Sequence, residues 1–142
     1  MVVLALDLGA KRIGLAVSDA DERIAFPAGV LESRGRARDV AAIGDVIRER
    51  SVGCVVVGLP LHMSGRRGPE AEAAQRFADE LAAQTGVTVE TLDERWTSRE
   101  AERSLRELGR GSKKRARGEV DSMAATLLLR AFLERRSGSG GR

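Results

Sequence analysis

The chain has 142 residues, of which 42% are hydrophobic and 32% charged, and this composition predicts a single globular domain, residues 1–136, with a hydrophobic core. The single cysteine excludes an internal disulfide, and no apolar run approaches the roughly 20 residues of a membrane-spanning helix, so we expect a cytoplasmic protein. Aromatic residues make up only 3% of the chain and none is tyrosine, which argues against base stacking as the main mode of binding nucleic acid.

Charge is distributed unevenly along the chain. Residues 1–94 contain 11 basic and 15 acidic side chains, a net charge of −4, whereas residues 95–142 contain 13 and 6, a net charge of +7. A basic segment of this kind is typical of a protein that binds a polyanion such as nucleic acid. An ordinary solvated helical surface explains the same charges equally well.

The first 19 residues predict a β-hairpin that carries an acidic residue at the end of its first strand. An apolar run, Val2–Leu6, is typical of a strand buried on both faces, and Asp7 follows it directly. A glycine-bounded turn at 9–14 contains Lys11 and Arg12, which would hold a phosphate, and leads into a second apolar strand. Because burying an unpaired charge is costly, we expect Asp7 to bind a cation or, alternatively, to pair with Arg12 or Lys113.

Apolar periodicity and turn residues predict the remaining elements. In chain order these are a strand at 24–33, a helix at 37–50, a strand at 52–58, a helix with the apolar stripe Ala74, Phe77, Ala78 and Leu81, a strand at 87–92, a helix at 97–109, and a final helix at 119–136. Pro27 confines its strand to a sheet edge or a bulge. The order predicts an α/β fold with a five-stranded mixed sheet, three antiparallel strands and then two parallel ones, flanked by helices. The tail, 137–142, is predicted to be disordered.

Three acidic residues from distant segments are candidates for one site. Asp7 and Glu94 follow strands that end at the same sheet edge, and Asp121 lies in the first turn of the final helix, on a partly inward face. Carboxylates brought that close repel one another, and one or two Mg²⁺ or Mn²⁺ ions are the usual remedy. Such a site suits phosphodiester hydrolysis. Spacing alone does not say whether Asp93 or Glu94 turns inward, and Asp121 would favour the helix dipole even without a metal.

Two loops contain groups suited to binding phosphate. The loop after the fourth strand would do so through backbone N–H groups, unless its glycines only let the chain turn. Its residues are Gly58, Pro60, Gly65 and Gly68. A basic loop at 110–118 would clamp the phosphates on either side of the scissile one, unless it is a mobile surface loop. Its cations are Lys113, Lys114, Arg115 and Arg117.

Several motifs, taken in order, resemble the signature blocks of a known family. They are DLGAKRIGLAVSD, GLPLHMSGRRG, DERWTS and, after the basic loop, DSMAA. Over nearly the whole chain they resemble the YqgF (RuvX) family of RNase H-like proteins. The resemblance implies an RNase H-like fold in which Asp7, Glu94 and Asp121 are the catalytic and metal-binding acids. RuvC-type resolvases have a second carboxylate one turn further along the last helix, where this chain has Ala124.

The same resemblance implies a metal-dependent endonuclease that acts on structured RNA and processes the 5′ end of pre-16S ribosomal RNA. A Holliday junction resolvase acting on branched DNA and a nucleic-acid-binding module without catalysis are the alternatives, and both a monomer and a homodimer remain open. Arg95, within DERWTS, is assigned to nucleic acid or, alternatively, only orients its loop. The Asp-x-Gly hairpin also resembles that of actin-like ATPases and sugar kinases, but those folds close two such domains over a nucleotide.

Overall fold

The computed structural model describes residues 1–60, 65–94 and 116–140, with the side chains of the final helix described from 122 to 137. Some predicted features lie outside these ranges. They are the helix at 97–109, Arg95, Lys113, Lys114 and Arg115.

The fold is built on a five-stranded mixed sheet with the strand order β3-β2-β1-β4-β5. The strands are β1 (Val2–Leu8), β2 (Arg12–Ser18), β3 (Ala25–Glu32), β4 (Val52–Leu59) and β5 (Thr88–Asp93). The first three strands are antiparallel, and β4 and β5 then run parallel to β1. The predicted mixed sheet is therefore confirmed. Because β1, β4 and β5 are parallel, their carboxyl ends lie at the same end of the sheet.

Three helices cover the two faces of this sheet in the described part of the chain. They are α1 (Arg36–Glu49), α2 (Pro69–Thr85) and α3 (Ala116–Gly140). The first two pack on one face, over β4 and β5, and α3 packs on the opposite face, over β1, β2 and β3. Of the helices that the structure describes, none is both long enough and apolar enough to cross a membrane.

The strand β1 divides its side chains between the two faces. Leu4 and Leu6 are buried with the apolar residues of α1 and α2, whereas Val3 and Ala5 are buried with those of α3. This double burial explains why the sequence of β1 is apolar at successive positions. Since side chains alternate along a strand, Asp7 continues the series of Val3 and Ala5 and lies on the α3 face.

The edge strand β3 shows how proline is accommodated. Pro27 pairs with Ala16 of β2, and the register shifts between Leu15 and Ala16 because of a bulge. A missing N–H is tolerated there, since β3 is an edge strand of the sheet formed by the described residues. The expectation that Pro27 would lie on an edge or at a bulge is confirmed.

The last helix differs from the sequence prediction at both ends. It begins at Ala116 rather than Glu119, so Arg117 lies in its first turn and not in the basic loop, and Asp121 lies in the second turn. It continues to Gly140, whereas composition predicted disorder from residue 137. Extending an existing helix adds one hydrogen bond per residue without a new nucleation cost, so Ser and Gly residues can continue it.

Candidate active site

Asp7 lies near the carboxyl end of β1, in the middle of the sheet. It pairs with Gly14 of β2 on one side, and on the other side the pairing of Leu6 with Val57 brings Asp7 level with Gly58 of β4. Both neighbours are glycines, so no side chain from either adjacent strand stands beside the carboxylate. The half-buried Asp7 therefore lies between two glycines on the α3 face of the sheet.

Glu94 follows β5 directly and lies two strands away from Asp7. Its neighbour Leu92 pairs with Gly58 and belongs to the core beneath α3, so alternation puts Glu94 on the same face as Asp7. Strands in a sheet are about 4.8 Å apart, which separates the backbones of β1 and β5 by roughly 10 Å. The Glu94 side chain crosses this distance over β4 and forms a hydrogen bond with Asp7.

The crossing passes directly above Gly58. A Cβ atom built on Gly58 would lie 2.9 Å from Glu94 Cγ and 3.0 Å from Glu94 Cδ, and closer still to Oε1. The structure thus selects Glu94 as an acid that turns toward Asp7, where spacing had left Asp93 and Glu94 undecided. Asp7 contacts Glu94, and Arg12 forms no ion pair with any described residue.

The hydrogen bond between two acids has an electrostatic consequence. Burial raises the pKa of Glu94 from 4.5 to about 8, with further contributions from the hydrogen bond to Asp7 and from the negative charges of Asp7 and Asp93. At neutral pH, without a cation, Glu94 therefore keeps its proton and uses it to donate a hydrogen bond to the Asp7 carboxylate. A divalent cation between the two groups would replace this proton and neutralise both charges.

The donor set fits a hard divalent metal. Carboxylate oxygens are the ligands that Mg²⁺ and Mn²⁺ prefer, and a buried pair that needs either a proton or a cation is a suitable place for one. Among the side chains that the structure describes, no third His, Cys, Asp or Glu completes a cluster with this pair. Asp7 and Glu94 would supply two ligands to such an ion, and the side chain of Asp121 is not among those described.

Helix α3 is fixed to the sheet next to this pair by Ser122. The buried Ser122 Oγ donates to the carbonyl of Leu15 at 3.1 Å and accepts from the N–H of Gly29 at 3.4 Å. Leu15 pairs with Leu6, the residue before Asp7. The backbone of Asp121 is therefore held close to Asp7. Because the helix dipole acts mainly within the first turn, it accounts less well for an Asp in the second.

Sequence reasoning assigned no role to Ser122. It belongs to the DSMAA block, where a serine followed by apolar residues is the only sequence feature that could have indicated a buried position. Its partners are backbone groups of β2 and β3, more than 90 residues away along the chain. Such a contact becomes visible only when the fold is known.

The basic turn of the first hairpin lies at the same end of the sheet as Asp7. The N–H of Gly9 donates to the carbonyl of Arg12 at 2.8 Å, and a Cβ on Gly9 would lie 2.8 Å from that oxygen, so the turn requires glycine there. The N–H of Ser33 donates to the carbonyl of Lys11, which ties the turn to the end of β3. Lys11 is exposed and, like Arg12, makes no ion pair with a residue in the described ranges.

The four residues predicted to bind phosphate are in different settings. Gly58 is buried inside β4, one residue before the strand ends, and Pro60 follows the strand. Gly65 has a positive φ of 89°, which favours glycine, and Gly68 is the N-cap of α2. Gly58 therefore lies within the sheet, whereas the other three residues lie in the connection that leads to the N-terminus of α2.

The chain is similar to known proteins along nearly its whole length. A family model described as RuvX: Holliday junction resolvase matches residues 1–135. A protein of Chloroflexus aurantiacus named "Putative pre-16S rRNA nuclease" is 45% identical over 141 residues, which cover 99% of this chain and 92% of that protein. A protein of Anaeromyxobacter sp. with the same name is 48% identical over 136 residues, which cover 96% of this chain and 98% of that protein.

Solved structures share the fold at lower sequence identity. RuvC of T. thermophilus, in complex with a Holliday junction substrate, has a TM-score of 0.62 at 21% identity. The match covers 96% of this chain and 96% of that one. The Holliday junction resolvase of fowlpox virus has a TM-score of 0.57 at 14% identity, covering 95% of this chain and 99% of that one. These likenesses confirm the predicted RNase H-like fold. The family model and the relatives, which match along nearly the whole length, show that the chain belongs to the RuvX family.

Proposed function

We propose that this protein is a divalent-metal-dependent endonuclease that hydrolyses phosphodiester bonds in structured RNA and processes the 5′ end of pre-16S ribosomal RNA. The observation that carries the proposal is the contact between Asp7 and Glu94 across β4. The names of the relatives at 45% and 48% identity support the choice of RNA. We assign the activity to one domain, residues 1–136, and propose that it works in the cytoplasm, where ribosomal RNA matures.

The residues of the chain have distinct roles in this proposal. Asp7 is held by the central strand of the sheet and presents its carboxylate at a fixed position, while Glu94 approaches from the other side of β4. Asp121 is the proposed third acid, because Ser122 fixes its backbone near Asp7. A Mg²⁺ or Mn²⁺ ion held by these acids would supply an activated water and would stabilise the leaving oxygen. Glu94 must lose its proton for that binding, so metal binding releases a proton.

The cations around the site are proposed to bind the nucleic acid backbone. Lys11 and Arg12 lie in the turn that follows Asp7, at the same end of the sheet, and we assign both to the binding of phosphate. The basic segment 110–118, which continues into the first turn of α3, would contact phosphates farther along the strand. Contacts of this kind position the substrate but read no sequence.

A Holliday junction resolvase is the second candidate. The description of the matching family model and the fold shared with RuvC bound to a junction favour it. A resolvase must cut two strands of a four-way junction, so this candidate requires a homodimer, whereas the RNA nuclease functions equally well as a monomer.

One experiment separates the two candidates and a non-catalytic binding module. The purified protein is incubated with a pre-16S RNA 5′ fragment, a four-way DNA junction, and single-stranded RNA and DNA, each with Mg²⁺, Mn²⁺ or EDTA. The proposal predicts cleavage of the RNA fragment with metal and none with EDTA. Cleavage of the junction alone would favour the resolvase, and binding without any cleavage would favour the binding module.

Asp21→Asn is the matched control for variants of the acidic pair. Asp21 is an exposed acid in the turn between β2 and β3, at the end of the sheet opposite Asp7. Its substitution makes the same chemical change as Asp7→Asn, so it should leave every activity of the wild type unchanged.

A further inference from the structure

Gly58 lies between the two strands that carry the acidic pair. The strand β4 separates β1 from β5, and Gly58 is level with Asp7 on one side and paired with Leu92 on the other. The shortest path from Glu94 to Asp7 therefore passes over Gly58. Val56, two residues earlier on the same face of β4, carries a buried side chain that would block such a path.

The backbone of Gly58 gives no reason for glycine at this position. Its φ is not among the positive values recorded for Gly29, Gly35, Gly65 and Gly86, so any L-amino acid can adopt its conformation. Glycine inside a strand is also less stable than alanine, because it loses more conformational freedom and packs no side chain. The reason for glycine must therefore lie in the space above it.

That space is filled by Glu94. All three atoms nearest to a Cβ on Gly58 belong to the Glu94 side chain, with Cγ at 2.9 Å and Cδ at 3.0 Å. Real Cβ atoms essentially never make contacts below 3.0 Å, so the side chain of Glu94 would have to move. Because Glu94 is flexible and stands just beyond the end of β5, its side chain would move more easily than the strand.

We propose that Gly58 is a positioning residue: its missing side chain provides the passage through which Glu94 crosses β4 to contact Asp7. Any larger residue separates the two acids without breaking the sheet. The consequence for metal binding rests on the proposed function, whereas the consequence for the contact between the two acids does not.

The contact itself is tested in the metal-free protein. The free energy of unfolding in urea is measured in EDTA at pH 6 for Asp7→Ala, Glu94→Ala and the double variant, which gives the coupling between the two side chains. The same cycle is then repeated in the Gly58→Ala background. The proposal predicts coupling with glycine at this position and its loss with alanine. Coupling that persists in the Gly58→Ala background would overturn it.

Gly53→Ala is the matched control within the same strand. The three atoms nearest to a Cβ on Gly53 all belong to the exposed N-terminal residue Met1, with Sδ at 2.8 Å and Cβ at 3.2 Å. This variant also adds one methyl group to β4, and it should keep the coupling between Asp7 and Glu94. Loss of coupling in the control as well would show a general effect on the strand and contradict the specific role of Gly58.

Folding provides a second measure if Gly58→Ala alone proves too unstable. When the added methyl group is unfavourable only because it meets Glu94, the double variant Gly58→Ala with Glu94→Ala must fold normally. Failure of the double variant to fold would mean that the backbone needs glycine and would refute the proposal.

Metal binding links the passage to the proposed function. Calorimetric titration with Mn²⁺ should show at least tenfold weaker binding by Gly58→Ala, and adding this change to Glu94→Ala should cause no further loss. A further loss in the Glu94→Ala background would contradict the proposed role of Gly58. If instead Glu94→Ala binds Mn²⁺ as tightly as the wild type, the proposed metal site is wrong, while the unfolding cycle still decides on the passage.

Discussion

Glu94→Gln should remove a pH dependence of stability that the metal-free wild type shows. In the folded protein the pKa of Glu94 lies at about 8, mainly because the side chain is buried, whereas an unfolded chain has the ordinary value of 4.5. Between these two values the folded protein holds a proton that the unfolded chain has lost. Stability is therefore full below pH 4.5 and falls as the pH rises toward 8.

The expected size of this effect follows from linkage. One proton bound only by the folded state gives a slope of at most about 1.4 kcal/mol for each pH unit. Because Glu94 is partly exposed and solvent screens its interactions, we expect a total loss of a few kcal/mol across the window, which is less than the slope multiplied by the width of the window. Glutamine carries no proton to lose, so the variant should become more stable than the wild type at pH 8.

The assay is urea unfolding in EDTA at intervals of half a pH unit from pH 4.5 to 8.5. Asp21→Asn, at the opposite end of the sheet, should follow the wild-type curve and serves as the control. Curves for the wild type and Glu94→Gln that run parallel through the whole window would refute the reasoning. Such a result would mean that Glu94 is ionised in the folded protein and that no buried proton links it to Asp7.

Three further predictions concern the residues around the pair. Glu94→Gln should lower the cleavage rate by orders of magnitude and Asp93→Asn far less, and a larger loss at Asp93 in steady-state kinetics would reverse the assignment of the inward acid. Lys113→Ala with Lys114→Ala should remove about two phosphate contacts and so reduce the slope of log affinity against log salt for duplex binding by about 1.8. An unchanged slope would mean that these lysines do not contact the nucleic acid backbone. Ser122→Ala should cost about 1–3 kcal/mol in urea unfolding, because it removes two hydrogen bonds between α3 and the sheet, and an unchanged midpoint would contradict that role.

Local patterns in the sequence were sufficient to predict the sheet and the position of Asp7. An apolar run interrupted by a carboxylate indicates a buried strand with a functional end, and this signal lies within a few consecutive residues. The edge position of β3 was likewise predictable, because a single proline restricts where its strand can lie. These inferences need no knowledge of distant segments.

The passage above Gly58 could not be predicted in the same way. Its meaning depends on the order β1-β4-β5, which brings together three segments separated by tens of residues. Before that order is known, a glycine that ends a valine run is explained equally well as part of a turn or of a phosphate-binding loop. The extension of α3 at both ends was missed for a different reason, since helix propensity is a weak guide where tertiary packing and an existing helix determine the outcome.

The most direct test of the account is metal-dependent cleavage by Asp7→Asn. Rates are measured on the pre-16S RNA 5′ fragment with saturating Mg²⁺ or Mn²⁺, and folding is checked by urea unfolding in EDTA. The account predicts that cleavage is abolished while metal-free stability is unchanged or slightly higher, because asparagine removes a half-buried charge and its Oδ1 can still accept the hydrogen bond from Glu94. A folded variant that keeps more than about a tenth of the wild-type rate, a loss of less than about 1.4 kcal/mol in the barrier, would contradict the central role of Asp7.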